Sequence, residues 1–257
     1  MDYPKHLRVV ISCVTFETVK IVKPVMHFQA DLVYLLHHNN MKQPYTDFLD
    51  EVVKQLKEKG IEYKTVEVDL FHFEPLMRTL IGIMDKEKEK GNHIFVNMEA
   101  GTSIYSAASL IASMMKDAIT FNVGTKVFQV RDPAVYYDND RPVGLAKDVK
   151  EPFILPRYRI KEPNREQVRA LSIWKEVLES FGTRQTRRVI RRLEEEGLMK
   201  DTTDDRGKVT HGANMKFRRK YLKHWLGQGW VSSEGSSNYH LTDNGMMVLD
   251  IFGDPIE

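Results

Sequence analysis

The sequence predicts two domains of different class: an α/β domain on a mainly parallel, Rossmann-like sheet, then a smaller winged-helix domain. Three observations carry this expectation. Up to about residue 130 short apolar runs alternate with amphipathic ones, the rhythm of strands joined by helical crossovers. Five prolines (Pro133, Pro142, Pro152, Pro156 and Pro163) then interrupt the rhythm. Beyond them the order changes to three helices and a hairpin, and cationic charge collects there. With 257 residues, 42% of them hydrophobic, the chain is long and apolar enough for two cores.

The elements follow in order. Residues 8–14 form a continuous apolar run, as expected of a strand buried on both faces. A helix over 17–29 carries Pro24 near its middle, which should kink or shorten it. A strand over 31–37 and a helix over 46–59, stopped by Gly60, come next. Then follow a strand at 61–68, a helix at 75–89, a strand at 94–98, a helix at 103–116, and short strands at 119–123 and 126–130. Residues 132–163 read as the last extended pieces of the first domain plus a linker, with the boundary near 160 and the second domain over 164–257. There, a helix over 165–181 has the apolar stripe Val168, Leu171, Trp174, Val177, Leu178 and Phe181, and ends at Gly182. Thr183 is placed to cap a helix over 184–196; a polar loop over 201–212 leads to a third helix over about 214–228. A hairpin of 230–233 and 239–241 closes the pattern, and Thr242 caps a final short helix.

Charge divides unevenly. The whole chain is +2, yet residues 157–230 hold 19 Lys and Arg against 10 Asp and Glu. Charge of one sign gathered in one domain points to a polyanionic partner for that domain. On the third helix Lys216, Arg219, Lys220 and Lys223 fall within an arc of about 100°, with Phe217, Tyr221, Leu222, Trp225 and Leu226 opposite and Arg218 intruding. The second helix repeats the scheme, with Arg184, Arg187, Arg188, Arg191 and Arg192 on one side and Val189, Ile190 and Leu193 on the other. A cationic front on an apolar back suits phosphates or a groove of double-stranded DNA. The segment KFRRKYLKHWLGQGWVSSEGSSNYHLTDNG resembles winged-helix transcription regulators, whose wing is commonly followed by Y-x-L-T-x-x-G, here Tyr239 to Gly245.

In the first domain the most informative stretch is HIFVNMEAGTSIYSAASLIASMM: a strand, the turn Glu99-Ala100-Gly101-Thr102-Ser103, and an apolar helix. Open α/β sheets bind ligands at the carboxyl ends of their strands. A helix N-terminus there offers unpaired amides to a phosphate. Gly101 is expected to let the backbone turn, with positive φ if the turn needs it, and approach a ligand. Thr15-Phe16-Glu17 occupies the equivalent place after the first strand. Gly-Thr-Ser ahead of a helix is also an ordinary N-cap. The chain has no G-x-G-x-x-G after strand one and no G-x-x-x-x-G-K-[ST], so ordinary dinucleotide and P-loop chemistry lose most of their support.

The whole arrangement, V-N-M-E-A-G-T-S-I-Y-S-A-A-S-L-I-A after strand four plus a C-terminal winged helix, resembles the archaeal CARF (CRISPR-associated Rossmann fold) winged-helix transcription regulators. That resemblance implies a homodimer binding cyclic oligoadenylate across its interface, and cyclic tetra-adenylate is the expected ligand. It places the binding loops at Cys13, Val14, Thr15, Phe16 and Glu17, and at Asn97, Glu99, Gly101, Thr102, Ser103 and Tyr105. Glu17 and Glu99 sit awkwardly beside a polyphosphate and suit ribose or adenine groups instead. A second reading is a repressor whose α/β domain binds a sugar phosphate, mononucleotide or other phosphate-bearing metabolite. A third is a ring nuclease. Against that third reading, no histidine lies in either loop, and Lys20 and Lys116 stand about a helical turn or more away.

No catalytic residue, metal site or cofactor is expected. His37 and His38 are adjacent on a strand and face opposite ways, and the other histidines lack metal-ligand spacing. The single cysteine, Cys13, lies in an apolar run and reads as a buried thiol. With no signal-peptide layout, no membrane-spanning run and no internal disulfide, the expected compartment is the cytoplasm.

Overall fold

The protein is described by a computed structural model covering residues 6–38, 42–128, 137–138, 141–182, 186–234 and 238–253. It divides into two compact units, Met1–Lys161 and Glu162–Glu257. In the first unit β1 (Arg8–Cys13), α1 (Val19–His27), β2 (Leu32–His37), α2 (Tyr45–Glu58), β3 (Glu62–Glu67), α3 (Phe73–Glu89), β4 (His93–Asn97), α4 (Ser103–Lys116) and β5 (Ile119–Asn122) follow one another. Four further strands, β6 (Thr125–Phe128), β7 (Tyr137–Asp138), β8 (Arg141–Pro142) and β9 (Ala146–Val149), precede β10 (Phe153–Ile154).

Six strands form one sheet in the order β10-β5-β4-β1-β2-β3. All neighbours in it are parallel except β10, which runs antiparallel to β5. The central strands β1 and β2 are apolar because both faces are covered, whereas the edge strand β3, EYKTVE, stays partly exposed. Along β1, Val10 joins the core cluster beneath α1 and α2 with Ile21, Val33, Phe48 and Val52, while Val9 and Ile11 are buried on alternate positions. The strand order reverses between β1 and β4, so the loops leaving these two strands diverge to opposite faces and leave a crevice at their carboxyl ends.

Several expected boundaries shift. Helix α1 starts at Val19, two residues later than expected, because Glu17 is held in an antiparallel bridge to Gly144. Pro24 lies inside α1 and does not end it. Residues expected as a strand over 126–130 appear as β6, which pairs with β9 outside the main sheet; residues 129–130 lie outside the described ones. The stretch expected to be partly linker holds β7 to β10, and β10 extends the sheet. Among the described residues no helix is long and apolar enough to cross a membrane.

The second unit contains α5 (Arg165–Phe181), α6 (Thr186–Glu195), α7 (His211–Phe217), a π-helical turn (Arg218–Leu222), α8 (Lys223–Gly227), the antiparallel hairpin β11 (Val231–Glu234) and β12 (Asn238–Leu241), and α9 (Asp243–Phe252). Thr183 and residues 235–237 of the expected turn lie outside the described residues. The core joins Leu171 and Trp174 of α5, Val189 and Leu193 of α6, and Phe217, Tyr221 and Trp225. The π-helical turn has a local cause. Ala213, Phe217, Tyr221 and Trp225 are all buried and recur every four residues. An α-helix turns about 100° per residue, so such a stripe drifts about 40° at each step. One wider turn takes up the drift and keeps the aromatics on the core.

Thr242 and Gly245 fix the end of the hairpin. Thr242 Oγ1 accepts from the Gly245 amide at 3.1 Å and donates to Gly229 O at 2.6 Å. A Cβ on Gly245 would stand 2.2 Å from the Trp230 carbonyl oxygen, so only glycine fits. Gly245→Ala is expected to cost about 1–3 kcal/mol by overpacking. Urea unfolding followed by tryptophan fluorescence measures it, and a midpoint equal to the parent's would contradict this packing.

Candidate functional site

The crevice at the carboxyl ends of β1 and β4 is built from paired loops. Thr15 Oγ1 donates to Ala100 O at 3.1 Å and joins the loop after β1 to the loop after β4. Thr102 caps α4, its Oγ1 accepting from the Tyr105 amide at 3.0 Å and donating to Leu70 O at 2.8 Å, so the loop after β3 is joined as well. By helix geometry the amides of Ser103 and Ile104 have no acceptor within α4. Ser103 is exposed.

A cavity of about 180 Å³ opens beside this turn, lined by Thr15, Phe16, His38, Tyr45, Leu70, Phe71, Gly101 and Thr102. Its walls are aromatic. Phe16 and Tyr45 lie with ring centroids 4.3 Å apart, and His38 meets Phe71 edge-on at 5.1 Å. His38 Nδ1 is enclosed and has no hydrogen-bond partner among the described residues. A wall of aromatic faces accepts a planar ring by stacking, and a helix N-terminus accepts anionic oxygen. Together they suit a nucleotide-like ligand.

Of the expected binding residues, Thr15, Phe16, Gly101 and Thr102 line the cavity, and Asn97 and Tyr105 are buried and do not. Asn97 is fully buried; its Nδ2 donates to Lys20 O at 2.8 Å and Ser12 Oγ at 3.2 Å, and its Oδ1 accepts from the Glu99 amide at 3.1 Å. The Lys20 carbonyl is available because Pro24, four residues on, has no N–H to give it. Tyr105 is also fully buried and donates its hydroxyl to Asn97 O at 2.9 Å. Gly101 does not have a positive φ. Its constraint is packing: a Cβ there would meet the Tyr105 ring at 2.5 Å and Cys13 Cβ at 2.9 Å. Cys13 and Val14 are buried, and burial pushes the Cys13 thiol far up, which makes it a poor nucleophile.

The acidic pair is organised by a residue expected to lie out of reach. Lys20 Nζ stands 3.6 Å from Glu17 Oε1 and 3.5 Å from Glu99 Oε1, with only 12% of its side chain exposed. Glu99 Oε2 also accepts from Asn122 Nδ2 at 2.5 Å. Glu17 Oε2 accepts from the Ala146 amide at 3.3 Å and so holds the segment before β9 against the loop after β1. Thr18 Oγ1 donates to Pro142 O at 3.0 Å in the same strap. Glu17 is therefore a clamp more than a ligand group. Lys20, Tyr45, His38, Leu70, Phe71 and the strap were missed from sequence; the carboxyl-end rule, applied to β2 and β3 as well, picks out His38 and Leu70–Phe71.

In the second unit the cationic residues separate into used and unused. Lys220 is drawn to Glu166, and its Nζ donates to Leu198 O at 3.2 Å, so it does not belong to an open basic front. Glu166 is the main reason the Lys220 ammonium is held above its ordinary pKa. Arg191 donates to Gly207 O at 2.7 Å, and Arg188 lies over the Phe181 ring at 4.0 Å. Arg192 pairs with Glu195 at 3.1 Å. Arg187, Lys216, Arg219 and Lys223 are exposed, and none has an ion pair among the described residues. Arg184 lies outside the described residues. Among the described residues no group of three or more His, Cys, Asp or Glu is arranged to hold a metal.

A family model described as "HFX_2341_N:-like, N-terminal" matches residues 8–127. No curated protein matches the chain. Among solved structures, a type III CRISPR defence DNA nuclease activated by cyclic oligoadenylate is 14% identical, with TM-score 0.41 over 76% of this chain and 31% of that one. Can2 from Sulfobacillus thermosulfidooxidans, in complex with cyclic tetra-adenylate, is 11% identical, with TM-score 0.40 over 95% of this chain and 63% of that one. Csm6 from Enterococcus italicus, bound to cyclic hexa-2'-fluoro-hexa-dAMP, is 11% identical, with TM-score 0.42 over 88% of this chain and 56% of that one. The chain thus spans less than two thirds of each of these proteins.

The clamp has a pH signature. Burial raises the Glu17 pKa, against the opposing pull of Lys20 and the Ala146 and Leu145 amides. A carboxyl raised in the folded state contributes stability that is present in acid and lost as pH rises through the folded value. Glu17→Gln removes this loss while keeping an acceptor for the strap. Thermal unfolding of both proteins from about pH 4 to about pH 7 should therefore shift progressively in the variant's favour. A difference independent of pH would show that Glu17 titrates alike folded and unfolded.

Proposed function

We propose that the chain is a ligand-responsive DNA-binding regulator whose α/β unit senses cyclic oligoadenylate and whose helical unit is a winged helix. The observation that carries the sensing half is the juxtaposition at the switch point, where an aromatic-walled cavity adjoins the N-terminus of α4. An adenine base stacks on Phe16, Tyr45 or Phe71, and a phosphate takes the Ser103 and Ile104 amides. The resemblance of the loop after β4 to CARF regulators supports the same ligand, with cyclic tetra-adenylate the proposed ring.

The proposed assembly is a homodimer. Helix α4 has no charged residue from Ser103 to Met115, and it keeps Ile104, Leu110, Ile111, Met114 and Met115 partly exposed beside an exposed Ala107. A helix apolar on both faces is normally covered on both. A two-fold axis along that face would bring two α4 N-termini to one cyclic ligand.

Calorimetry with cyclic tetra-adenylate, cyclic hexa-adenylate and linear adenylates tests the sensor. The expected result is one cyclic tetra-adenylate per two chains, weakened about tenfold or more in Phe71→Ala by the lost stacking. Two mononucleotides per dimer would favour the metabolite reading, and a folded dimer that binds no cyclic adenylate would overturn the proposal.

Of the cations expected at the DNA, those left exposed and without an ion pair among the described residues are Arg187, Lys216, Arg219 and Lys223. Arg187→Ala combined with Lys216→Ala is expected to lower duplex affinity and reduce the salt slope of binding by up to about two. Unchanged affinity and slope would remove these residues from any DNA contact.

A further inference from the structure

The helix assigned to DNA carries a second feature that phosphate binding does not use. A groove of about 440 Å³ runs along it, lined by Met215, Leu222, Leu226 and Tyr239 with Arg218, Arg219 and Lys223 at its sides. Met215 is 55% and Leu226 37% exposed, while Leu222 forms the floor at 5%. These three recur at spacings of seven and four, a stripe along one side of a helix. The core stripe Ala213, Phe217, Tyr221 and Trp225 occupies another side, so this helix is apolar on two faces. Phosphate binding needs the cations and makes no use of the exposed methionine and leucine between them.

We infer that this groove docks an amphipathic helix of a protein partner, one with an apolar stripe flanked by carboxylates. The stripe supplies Leu, Met or Phe anchors at i, i+3 or i+4, and i+7 to the floor of Leu222, Leu226 and Tyr239. The carboxylates meet Arg218, Arg219 and Lys223, none of which has an ion pair among the described residues. Charge complementarity selects an acidic partner and rejects a basic one. Because Arg219 and Lys223 are also among the cations proposed for DNA, the docked helix and a duplex exclude each other. The partner therefore acts as an anti-regulator, switching off DNA binding independently of any ligand in the α/β unit.

The test uses the full chain and a fluorescein-labelled, helix-stapled peptide with leucines at those anchor positions and glutamates beside them. Fluorescence anisotropy should show it binding at least about tenfold more tightly than a scrambled peptide of the same composition or one with lysine for glutamate. Met215→Glu with Leu226→Glu, both at exposed positions, should weaken it at least about tenfold, and Arg218→Ser should lower both affinity and salt dependence. Met247→Glu, at an exposed methionine outside the groove, should leave binding unchanged. Equal binding of the scrambled peptide, or full affinity in the folded Met215/Leu226 double variant, would overturn the inference. A duplex should displace the peptide. If the duplex binds but the peptide does not, docking fails while the DNA reading stands; if the peptide binds and no duplex does, the reverse holds.

Discussion

The geometry of the candidate site depends on one buried amide. Pro24 deprives the Lys20 carbonyl of its helical donor, and Asn97, arriving from the end of β4, replaces it. The same side chain reaches Ser12 on β1 and the amide of Glu99. Three backbone segments around the crevice, β1, α1 and the turn after β4, are thereby fixed to each other. Unmaking a buried hydrogen bond costs more than making it gains, because the orphaned group keeps its desolvation penalty. That asymmetry holds α1 over the strand ends and carries the Lys20 ammonium between Glu17 and Glu99.

This placement changes how the site's charge is understood. Two carboxylates beside the turn before α4 would repel a polyanion, but Lys20 lies between them and offsets one of the two charges. Glu99, a third exposed, keeps a carboxylate edge suited to amino or hydroxyl groups of a ligand, while Glu17 faces the strap. Under the proposed function, anionic oxygen goes to the α4 N-terminus, where dipole and amides take the place of a lysine. In the second unit several cations are taken up by Glu166, Gly207 and Phe181, and only part of the apparent basic surface remains open.

Much of the fold was legible because its causes are local. Four of the five parallel strands announce themselves as apolar runs, and the caps at Thr102 and Thr242 each accept an amide as their residue type suggests. The candidate loops were legible from the strand–turn–helix order together with the family resemblance of the turn after β4. What escaped was set by distant partners. Nothing near Lys20 in sequence reveals that Glu99 will stand beside it, and nothing near Asn97 reveals the carbonyl vacated by Pro24. A fixed 100° wheel likewise put Lys220 on the open front, whereas Glu166 on α5 draws it in and a π-helical turn changes the phase of the residues that follow.

The strap between β7 and β9 sets the order in which the first unit can be completed. Its contacts span most of that unit: Ala146 meets Glu17 across 129 residues, Thr18 meets Pro142 across 124, and Tyr137 and Arg141 reach Asp47 and Glu51 across 90 each. Contacts so remote in sequence carry a large loop-closure cost and form late. The parallel core can assemble from residues 8–122 by successive crossovers, but the loop after β1 receives its clamp only when a much later segment returns to it. During synthesis the crevice thus matures after the parallel core, and a nascent chain ending before the strap carries the five parallel strands with the loop after β1 still unclamped.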